Sequence, residues 1–171
     1  MMIMKNTVCL KPLSPDDGQD CFQLLKNIGE KENDFTNPVY HMSYDEYKQW
    51  LIEQDNWSKG GELPEGYVPQ HCYWLYVDGT PVGFGKIRLG LTPQSRIEGG
   101  NIGCAIGDNY RGRGYGTILI DHLLGKAKGL GVEEILITVK KYNYASKRMC
   151  EKNGAFLVKE TEGWWYLSVK I

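Results

Sequence analysis

A glycine-rich segment, Arg111-Gly112-Arg113-Gly114-Tyr115-Gly116, stands directly between a strand pattern and a helix pattern. The strand is predicted at residues 100–106, and the helix is predicted by apolar residues at helical spacing, namely Tyr115, Ile118, Leu119, Leu123, Ala127 and Leu130. The first amides of a helix have no partner within it and carry partial positive charge, and glycines allow a ligand to approach the backbone closely. The segment therefore predicts a site for a pyrophosphate, with Arg111 and Arg113 adding positive charge.

Other glycine-rich motifs fit this segment less well. No Gly-Lys-Ser/Thr follows it, so it is not a Walker A loop. Thr117 stands where a dinucleotide fingerprint has its third glycine, and the nearest acids, Glu133 and Glu134, begin the next strand instead of ending it. A glycine-rich turn that merely starts a helix, and a single arginine–glycine RNA-binding tract, stay open as alternatives.

The whole pattern predicts an α+β (mixed α/β) fold with about seven strands and about four helices. Turn and cap signals place the strands at residues 7–13, 71–77, 81–91, 100–106, 134–139, 155–160 and 164–170. The helices are predicted at residues 14–29, 43–55, 115–129 and 144–152, with loops at 59–70 and 92–95. One strand–helix–strand crossover predicts a parallel pair in a mostly antiparallel sheet, and the length predicts one domain, residues 1–171.

Charge and composition argue against several classes of partner. Lys plus Arg number 20 and Asp plus Glu number 21, so no global positive field is present and no nucleic-acid partner is expected. The five cysteines include no C-x-x-C pair, which indicates a reducing, cytoplasmic compartment. The three histidines show no ligand spacing, so no metal is expected. No apolar run is long enough for a signal peptide or a membrane span, so no membrane partner is expected.

Two segments of the second half match one family in register. Arg111-x-x-Gly114-x-Gly116, between a strand and an amphipathic helix, is similar to the acyl-CoA signature of the GNAT N-acetyltransferases. Asn143-x-x-Ser146, followed by Glu151-Lys152-Asn153-Gly154-Ala155-Phe156, resembles the later segment of that family, where a short helix ends just before a strand. The order and spacing of the elements also match, most closely over residues 100–156.

The resemblance implies a fold and a cofactor site. The fold is a central mixed, mostly antiparallel sheet with a splayed parallel pair. The CoA pyrophosphate of acetyl-CoA would bind the segment made of Arg111, Gly112, Arg113, Gly114, Tyr115, Gly116 and Thr117. Free backbone groups at Cys104, Ala105 and Ile106 would pair with the pantetheine arm, as in strand addition, and Asn143 and Ser146 would contact that arm. An amide near Ile106 would polarise the thioester carbonyl.

The resemblance also implies the reaction, in which a primary amine attacks the acetyl thioester directly in a ternary complex. Many family members have a tyrosine acid four residues after the Ser146 position, where this chain has Cys150. Cys150 is therefore one candidate for the acid, and solvent is the alternative. Glu98 is the candidate base that is best placed by register, and His71 is an alternative base. These open assignments leave a second hypothesis, a non-catalytic acyl-CoA-binding or regulatory module.

The acceptor is expected to be a small-molecule or peptide amine that no motif identifies further. The first half is dense in aromatic and imidazole side chains, which would either wall an acceptor pocket closed by residues 59–70 or pack in the core: Tyr40, His41, Tyr44, Tyr47, Trp50, Trp57, Tyr67, Tyr73 and Trp74. The sequence does not fix an oligomeric state, and a homodimer is one form compatible with it.

Overall fold

The structure is a computed structural model that describes residues 5–32 and 34–171. Its strands are β1 (Val8–Pro12), β2 (Lys31–Glu32), β3 (Phe35–Thr36), β4 (Gln70–Val77), β5 (Thr80–Arg88), β6 (Ile102–Ile106), β7 (Glu134–Lys140), β8 (Phe156–Glu160) and β9 (Trp164–Lys170). Its helices are α1 (Gln19–Lys26), α2 (Tyr44–Ser58), α3 (Pro93–Ile97), α4 (Tyr115–Gly129) and α5 (Tyr144–Lys152).

The central strands form two antiparallel groups, in the orders β1-β4-β5-β6 and β7-β9-β8. The groups meet at Asn101 and Leu136, where the Asn101 amide donates to the Leu136 carbonyl and the Leu136 amide donates to Asn101 Oδ1, each at 2.8 Å. Beyond this contact β6 and β7 share no ladder within the described residues. The predicted α+β fold is confirmed, and the sheet divides between β6 and β7.

Helix α4 packs closely on the sheet because two positions of β5 lack side chains. A Cβ atom on Gly83 would lie 3.3 Å from Leu119, and one on Gly85 would lie 2.7 Å from Leu123. One apolar core fills the space between α4 and the sheet, and a second core lies beneath α1 and α2 on the opposite face. The side chains of β5 therefore alternate between two separate environments.

Local turn and cap signals were reliable guides to two elements. Asp78 and Gly79 have φ values of 50° and 81°, as a type I′ turn between β4 and β5 requires. Ser43 Oγ accepts a hydrogen bond from the Glu46 amide, and the Glu46 carboxylate accepts one from the Ser43 amide, so the predicted capping box begins α2. This helix continues to Ser58, three residues past the predicted end.

Two sequence predictions were wrong, and one element was missed. Helix α1 begins at Gln19 instead of Ser14, because the Asp17 carboxylate accepts hydrogen bonds from the Ser14 amide and from Trp74 Nε1, both at 2.7 Å, and holds a turn. The segment predicted as a loop at 92–95 contains the start of α3, which is capped by Thr92. The small hairpin of β2 and β3 was not predicted at all.

Candidate active site

A cleft of about 400 Å³ opens where β6 and β7 separate, between the start of α4 and the inner face of α5. Most of the predicted cofactor residues meet there. The lining residues are Glu32, Asp34, Cys104, Ala105, Ile106, Tyr110, Arg111, Gly112, Gly114, Tyr115, Gly116, Thr117, Asn143, Ala145, Ser146, Arg148, Met149 and Lys152.

The glycine-rich segment presents a row of uncommitted main-chain amides to this cleft. Gly112 and Gly114 have φ values of 75° and 84°, which only glycine adopts without strain, and Gly114 is the N-cap of α4. The first helical hydrogen bond runs from the Ile118 amide to the Gly114 carbonyl. In the part of the chain that the structure describes, the amides of residues 112–117 have no protein acceptor. Such amides at a helix start form a site for a polyanion.

Gly116 allows the start of α4 to lie close to α5. A Cβ atom at this position would clash with Met149 Sδ on α5. Any larger residue would require the Met149 side chain to move, so the glycine permits this close approach as well as exposing the backbone.

The exposed edge of β6 supplies further hydrogen-bonding groups. The Arg88 amide donates to the Asn101 carbonyl and the Gly107 amide donates to the Val82 carbonyl, which fixes the alternation of the β5–β6 ladder. By that alternation the amides of Cys104 and Ile106 point away from β5, toward the cleft, whereas the main chain of Ala105 pairs with β5. Ala105 therefore lines the cleft without offering it a free amide.

Arg111 holds the loop together instead of presenting a free charge. Its guanidinium donates to the Ile106 carbonyl at 3.1 Å and to Glu32 at 2.6 Å, and it pairs with Asp108 at 3.2 Å. The hydrogen bond from Arg111 lowers the pKa of the Glu32 carboxyl below its ordinary value. Arg113 is exposed and does not line the cleft.

Asn143 and Ser146 lie in the cleft wall, and the polar atoms of Asn143 are already engaged. Asn143 Oδ1 accepts from the Ser146 amide at 3.2 Å and caps α5, while Nδ2 donates to Asp34 Oδ2 at 3.0 Å. Asp34 Oδ1 accepts from the Lys140 amide at 3.1 Å. The carboxylate of Asp34 thus lies at the end of β7, at the mouth of the cleft.

Asp34 was not predicted, and its environment favours proton transfer. Burial raises the pKa of its carboxyl, and the negative charge of Glu98 raises it further. Glu98 ends α3, where its amide donates to the Gln94 carbonyl, and the next amide, of Gly99, donates to Thr138 Oγ1 at 2.8 Å. Glu98 does not line the cleft, but its charge acts on the carboxylate that does.

The other predicted proton-transfer groups lie outside the cleft lining. The Cys150 side chain is 1% exposed, and burial raises the pKa of its thiol to about 12. Burial raises the pKa of Cys104, which does line the cleft, to the same value. His71 lines a separate small cavity, where burial lowers the pKa of its imidazole.

Two basic residues of the cleft were also missed. Arg148 and Lys152 are exposed and line the cleft one helical turn apart on α5. The sequence signal that could have identified them is their i,i+4 spacing, which places both side chains on one face of the helix that Asn143 caps.

A second cavity of about 440 Å³, here named the α2 cavity, lies on the opposite face of β5. Part of the aromatic set proposed for an acceptor pocket lines it, together with the end of the 59–70 loop. Of the remaining rings, Tyr47, Tyr73 and Trp74 are buried in the core, whereas Tyr40 is exposed and Tyr44 is partly exposed. Its lining is Pro38, Met42, Trp50, Glu53, Gln54, Trp57, Gly66, Tyr67, Val68, Gln70, Cys72, Phe84, Lys86, Arg88, Thr92 and Ser95.

Two absences apply to residues 5–32 and 34–171. None of their helices combines the length and the apolar character needed to cross a membrane. No group of three or more His, Cys, Asp or Glu side chains among them is placed to hold a metal ion.

Solved structures similar to this one are acetyltransferases at low sequence identity. The ribosomal L7/L12 alpha-N-protein acetyltransferase RimL in complex with coenzyme A has a TM-score of 0.74 and 14% identity, over 96% of this chain and 94% of that one. The N-acetyltransferase PseH of Campylobacter jejuni in complex with acetyl coenzyme A has a TM-score of 0.63 and 13% identity, over 96% and 99%. A GNAT-family acetyltransferase of Streptococcus pneumoniae has a TM-score of 0.67 and 14% identity, over 96% and 99%.

At these identities the likeness establishes the fold. No curated protein matches the sequence. The family model for the acetyltransferase (GNAT) family, however, matches residues 27–155, which are most of the chain. These residues include the cleft at the division of the sheet, the free amides at the start of α4 and the α5 segment that follows β7. The chain therefore belongs to the GNAT family of acetyltransferases.

Proposed function

We propose that this protein transfers the acetyl group of acetyl-CoA to a primary amine by direct attack in a ternary complex. The observation that carries the proposal is the row of amides at residues 112–117, which have no protein acceptor among the described residues. All of these residues except Arg113 line a cleft that begins where the sheet divides. A pyrophosphate needs such donors, and a thiol-bearing arm needs a strand edge with free main-chain groups.

The cofactor residues fit this role in three groups. The amides of residues 112–117 would hold the pyrophosphate, with Arg148 and Lys152 adding positive charge at the rim. The free amides of Cys104 and Ile106 would pair with the pantetheine arm. Asn143 and Ser146 would bound the arm on its α5 side. Acetyl-CoA, when bound, supplies the activated acyl group; the protein supplies orientation and proton transfer.

The chemistry requires an oxyanion donor and a base. The Ile106 amide points into the cleft and would stabilise negative charge on the carbonyl oxygen. Asp34 is the candidate base that lines the cleft, and its raised pKa improves a carboxylate as a proton acceptor near neutral pH. Glu98 is the second candidate, acting through water or through its charge on Asp34.

The proton for the leaving thiolate has no assigned donor. Cys150 stays a prediction for that role, and its pKa of about 12 makes it a weak acid. Solvent entering the open cleft is the simpler donor. The burial of Cys150 is also the observation that favours the second candidate function, an acyl-CoA-binding module without turnover.

Acceptor and compartment are part of the proposal. RimL is an acetyltransferase of a ribosomal protein, so a peptide amine is one acceptor class for this fold, and small-molecule amines are another. All five cysteines are free thiols in the structure, which supports a reducing, cytoplasmic setting.

An acetyl-CoA turnover screen across amine classes tests the function. We expect release of free CoA with at least one class and thermal stabilisation by acetyl-CoA alone. Stabilisation without CoA release across the whole panel would favour the non-catalytic module, and no stabilisation would overturn both candidates.

A further inference from the structure

Two cationic side chains enter the α2 cavity without an anionic partner. Gly83 and Gly85 face α4, so the alternation of β5 directs Phe84, Lys86 and Arg88 to the α2 side of the sheet. Among residues 5–32 and 34–171, the Lys86 ammonium makes no hydrogen bond, no ion pair and no cation–π contact with an aromatic ring. Within the same residues the Arg88 guanidinium donates only to the carbonyls of Gly99 and Gly100, at 3.3 and 3.0 Å.

The surroundings make this arrangement costly for the protein alone. Burial, and then the charge of Arg88, lowers the pKa of Lys86 to about 8. Directly opposite on β4, the Cys72 thiol donates to Gln54 Oε1, so that thiol supplies no counter-charge. The one carboxylate in the lining, Glu53, is exposed at the rim and pairs with neither cation. Unpaired buried charges of one sign are expected where a ligand brings the other sign.

The rest of the lining indicates the body of that ligand. Trp50, Trp57, Tyr67 and Phe84 give the cavity aromatic walls, and the volume of about 440 Å³ suits a small molecule. The Lys86 side chain extends from the cavity over β6, because a Cβ atom on Gly103 would lie 3.1 Å from Lys86 Cε. Gly103 immediately precedes Cys104, which lines the acyl-CoA cleft.

We propose that the α2 cavity binds the anionic group, a carboxylate or a phosphate, of a small amine acceptor that has an apolar body. Lys86 and Arg88 hold the anionic group, the aromatic walls hold the body, and the amine points past Gly103 toward the division of the sheet. The inference rests on the proposed function, since it names the class of acceptor that the acetyl group reaches.

Binding alone tests the anion site, without any turnover. Ligand-detected NMR titrations would compare 3-phenylpropionate and phenyl phosphate with the neutral 3-phenylpropan-1-ol. We expect at least one anion to bind tenfold or more tightly than the alcohol, and the stronger of the two identifies carboxylate or phosphate. Lys86→Met should weaken that anion about tenfold, whereas Lys128→Met, on the exposed face of α4, should leave it unchanged. Equal binding of anions and alcohol, or no effect of Lys86→Met, would overturn the anion site.

A turnover comparison then separates this inference from the proposed function. Phenylalanine and phenethylamine share a ring and an amine but differ in the carboxylate, and phosphorylated tyramine supplies the phosphate case. We expect kcat/KM to favour an anionic amine, and Lys86→Met to reduce that preference about tenfold.

Turnover of phenethylamine with no preference for either anion would refute the inference and leave the proposed function intact. Lys86-dependent anion binding with no turnover of any amine would refute the proposed function and retain the anion site. A thermal-shift control checks that Lys86→Met is folded. If acetyl-CoA raises the melting temperature of the wild type but not that of Lys86→Met, the variant is misfolded, and Lys86→Gln would replace it.

Discussion

The side-chain amide of Asn143 donates a hydrogen bond of 3.0 Å to the Asp34 carboxylate, across 109 residues of sequence. The bond joins the β2–β3 hairpin to the cap of α5 and holds a carboxylate in the lining of the cleft between β6 and β7. The same carboxylate accepts from the Lys140 amide, so two donors fix its orientation. A carboxylate oriented in this way, with a raised pKa, is prepared to accept a proton.

We therefore expect Asp34→Asn to lower kcat about 100-fold while the Kd of acetyl-CoA stays within about threefold. The acidic limb of the kcat/KM profile should disappear, because the raised pKa of Asp34 produces that limb. Glu98→Gln is the parallel variant, and the one that removes the limb identifies the base. Asp121→Asn, an exposed carboxylate on α4, should change neither quantity. A profile that keeps its acidic limb in both variants would exclude both carboxylates as the base.

The contact between α4 and α5 gives a stability prediction. Gly116→Ala would place a Cβ atom in a clash with Met149 Sδ, so we expect a loss of about 1–3 kcal/mol in the free energy of unfolding. Gly125→Ala lies on the same helix with open space around it and should instead gain about 0.5–1 kcal/mol. Urea unfolding measures both. Equal effects at the two positions would show that α4 and α5 do not pack as closely as described.

The Arg111–Glu32 ion pair gives a prediction at low pH. The pKa of Glu32 is lowered in the folded state, so its contribution to stability is present above the ordinary glutamate pKa and is lost as pH falls through the folded value. Both side chains are partly exposed, so we expect a coupling of about 0.2–1 kcal/mol in a double-mutant cycle of Arg111→Met and Glu32→Gln at neutral pH. The coupling should vanish at acidic pH, below the lowered pKa of Glu32 in the folded state. Arg113→Met, at the neighbouring free arginine, should show no coupling to Glu32→Gln.

Lys86 gives a dependence of the same sign as Glu32, but at high pH. Its folded pKa of about 8 lies below the ordinary lysine value, so the unfolded chain binds more protons between the two values and stability rises with pH there. One fully coupled group contributes at most about 1.4 kcal/mol per pH unit. Buried thiols with raised pKa act in the other direction, so the measured quantity is the difference between wild type and Lys86→Met. A difference that stays constant from pH 7.5 to 9.5 would contradict an unpaired, partly buried ammonium.

The sequence predicted those elements whose signals are local. The capping box at Ser43, the type I′ turn at Asp78 and the bounds of α5 depend on residues within a few positions of each other, and all appear in the structure. The predicted start of α1 was wrong because Trp74, 57 residues away, donates a hydrogen bond to Asp17 and holds it in a turn. A helix start that depends on a distant indole cannot be predicted from its own segment.

The candidate site divides in the same way. The glycine-rich segment at the start of α4 could be located from the sequence because its glycines and the helix that follows them are adjacent. Asp34 was missed because it reaches the site only through the β2–β3 hairpin and the Asn143 side chain. The charge of Arg111 was misjudged because its partner, Glu32, is 79 residues away. Predicting the α2 cavity would have required both the side-chain alternation of β5 and the position of α2 relative to the sheet, and the second is a tertiary contact.

The affinity of acetyl-CoA for two matched aspartate variants tests the central claim most directly. Gly114 and Gly131 both have a φ of 84° with open space around them, at opposite ends of α4, so Asp at either position adds similar strain and the same charge. If the amides of residues 112–117 hold the pyrophosphate, calorimetry should show Gly114→Asp weakening acetyl-CoA binding about 30-fold or more, and Gly131→Asp changing it by less than about threefold. Equal affinities for the two variants would contradict a phosphate site at the start of α4.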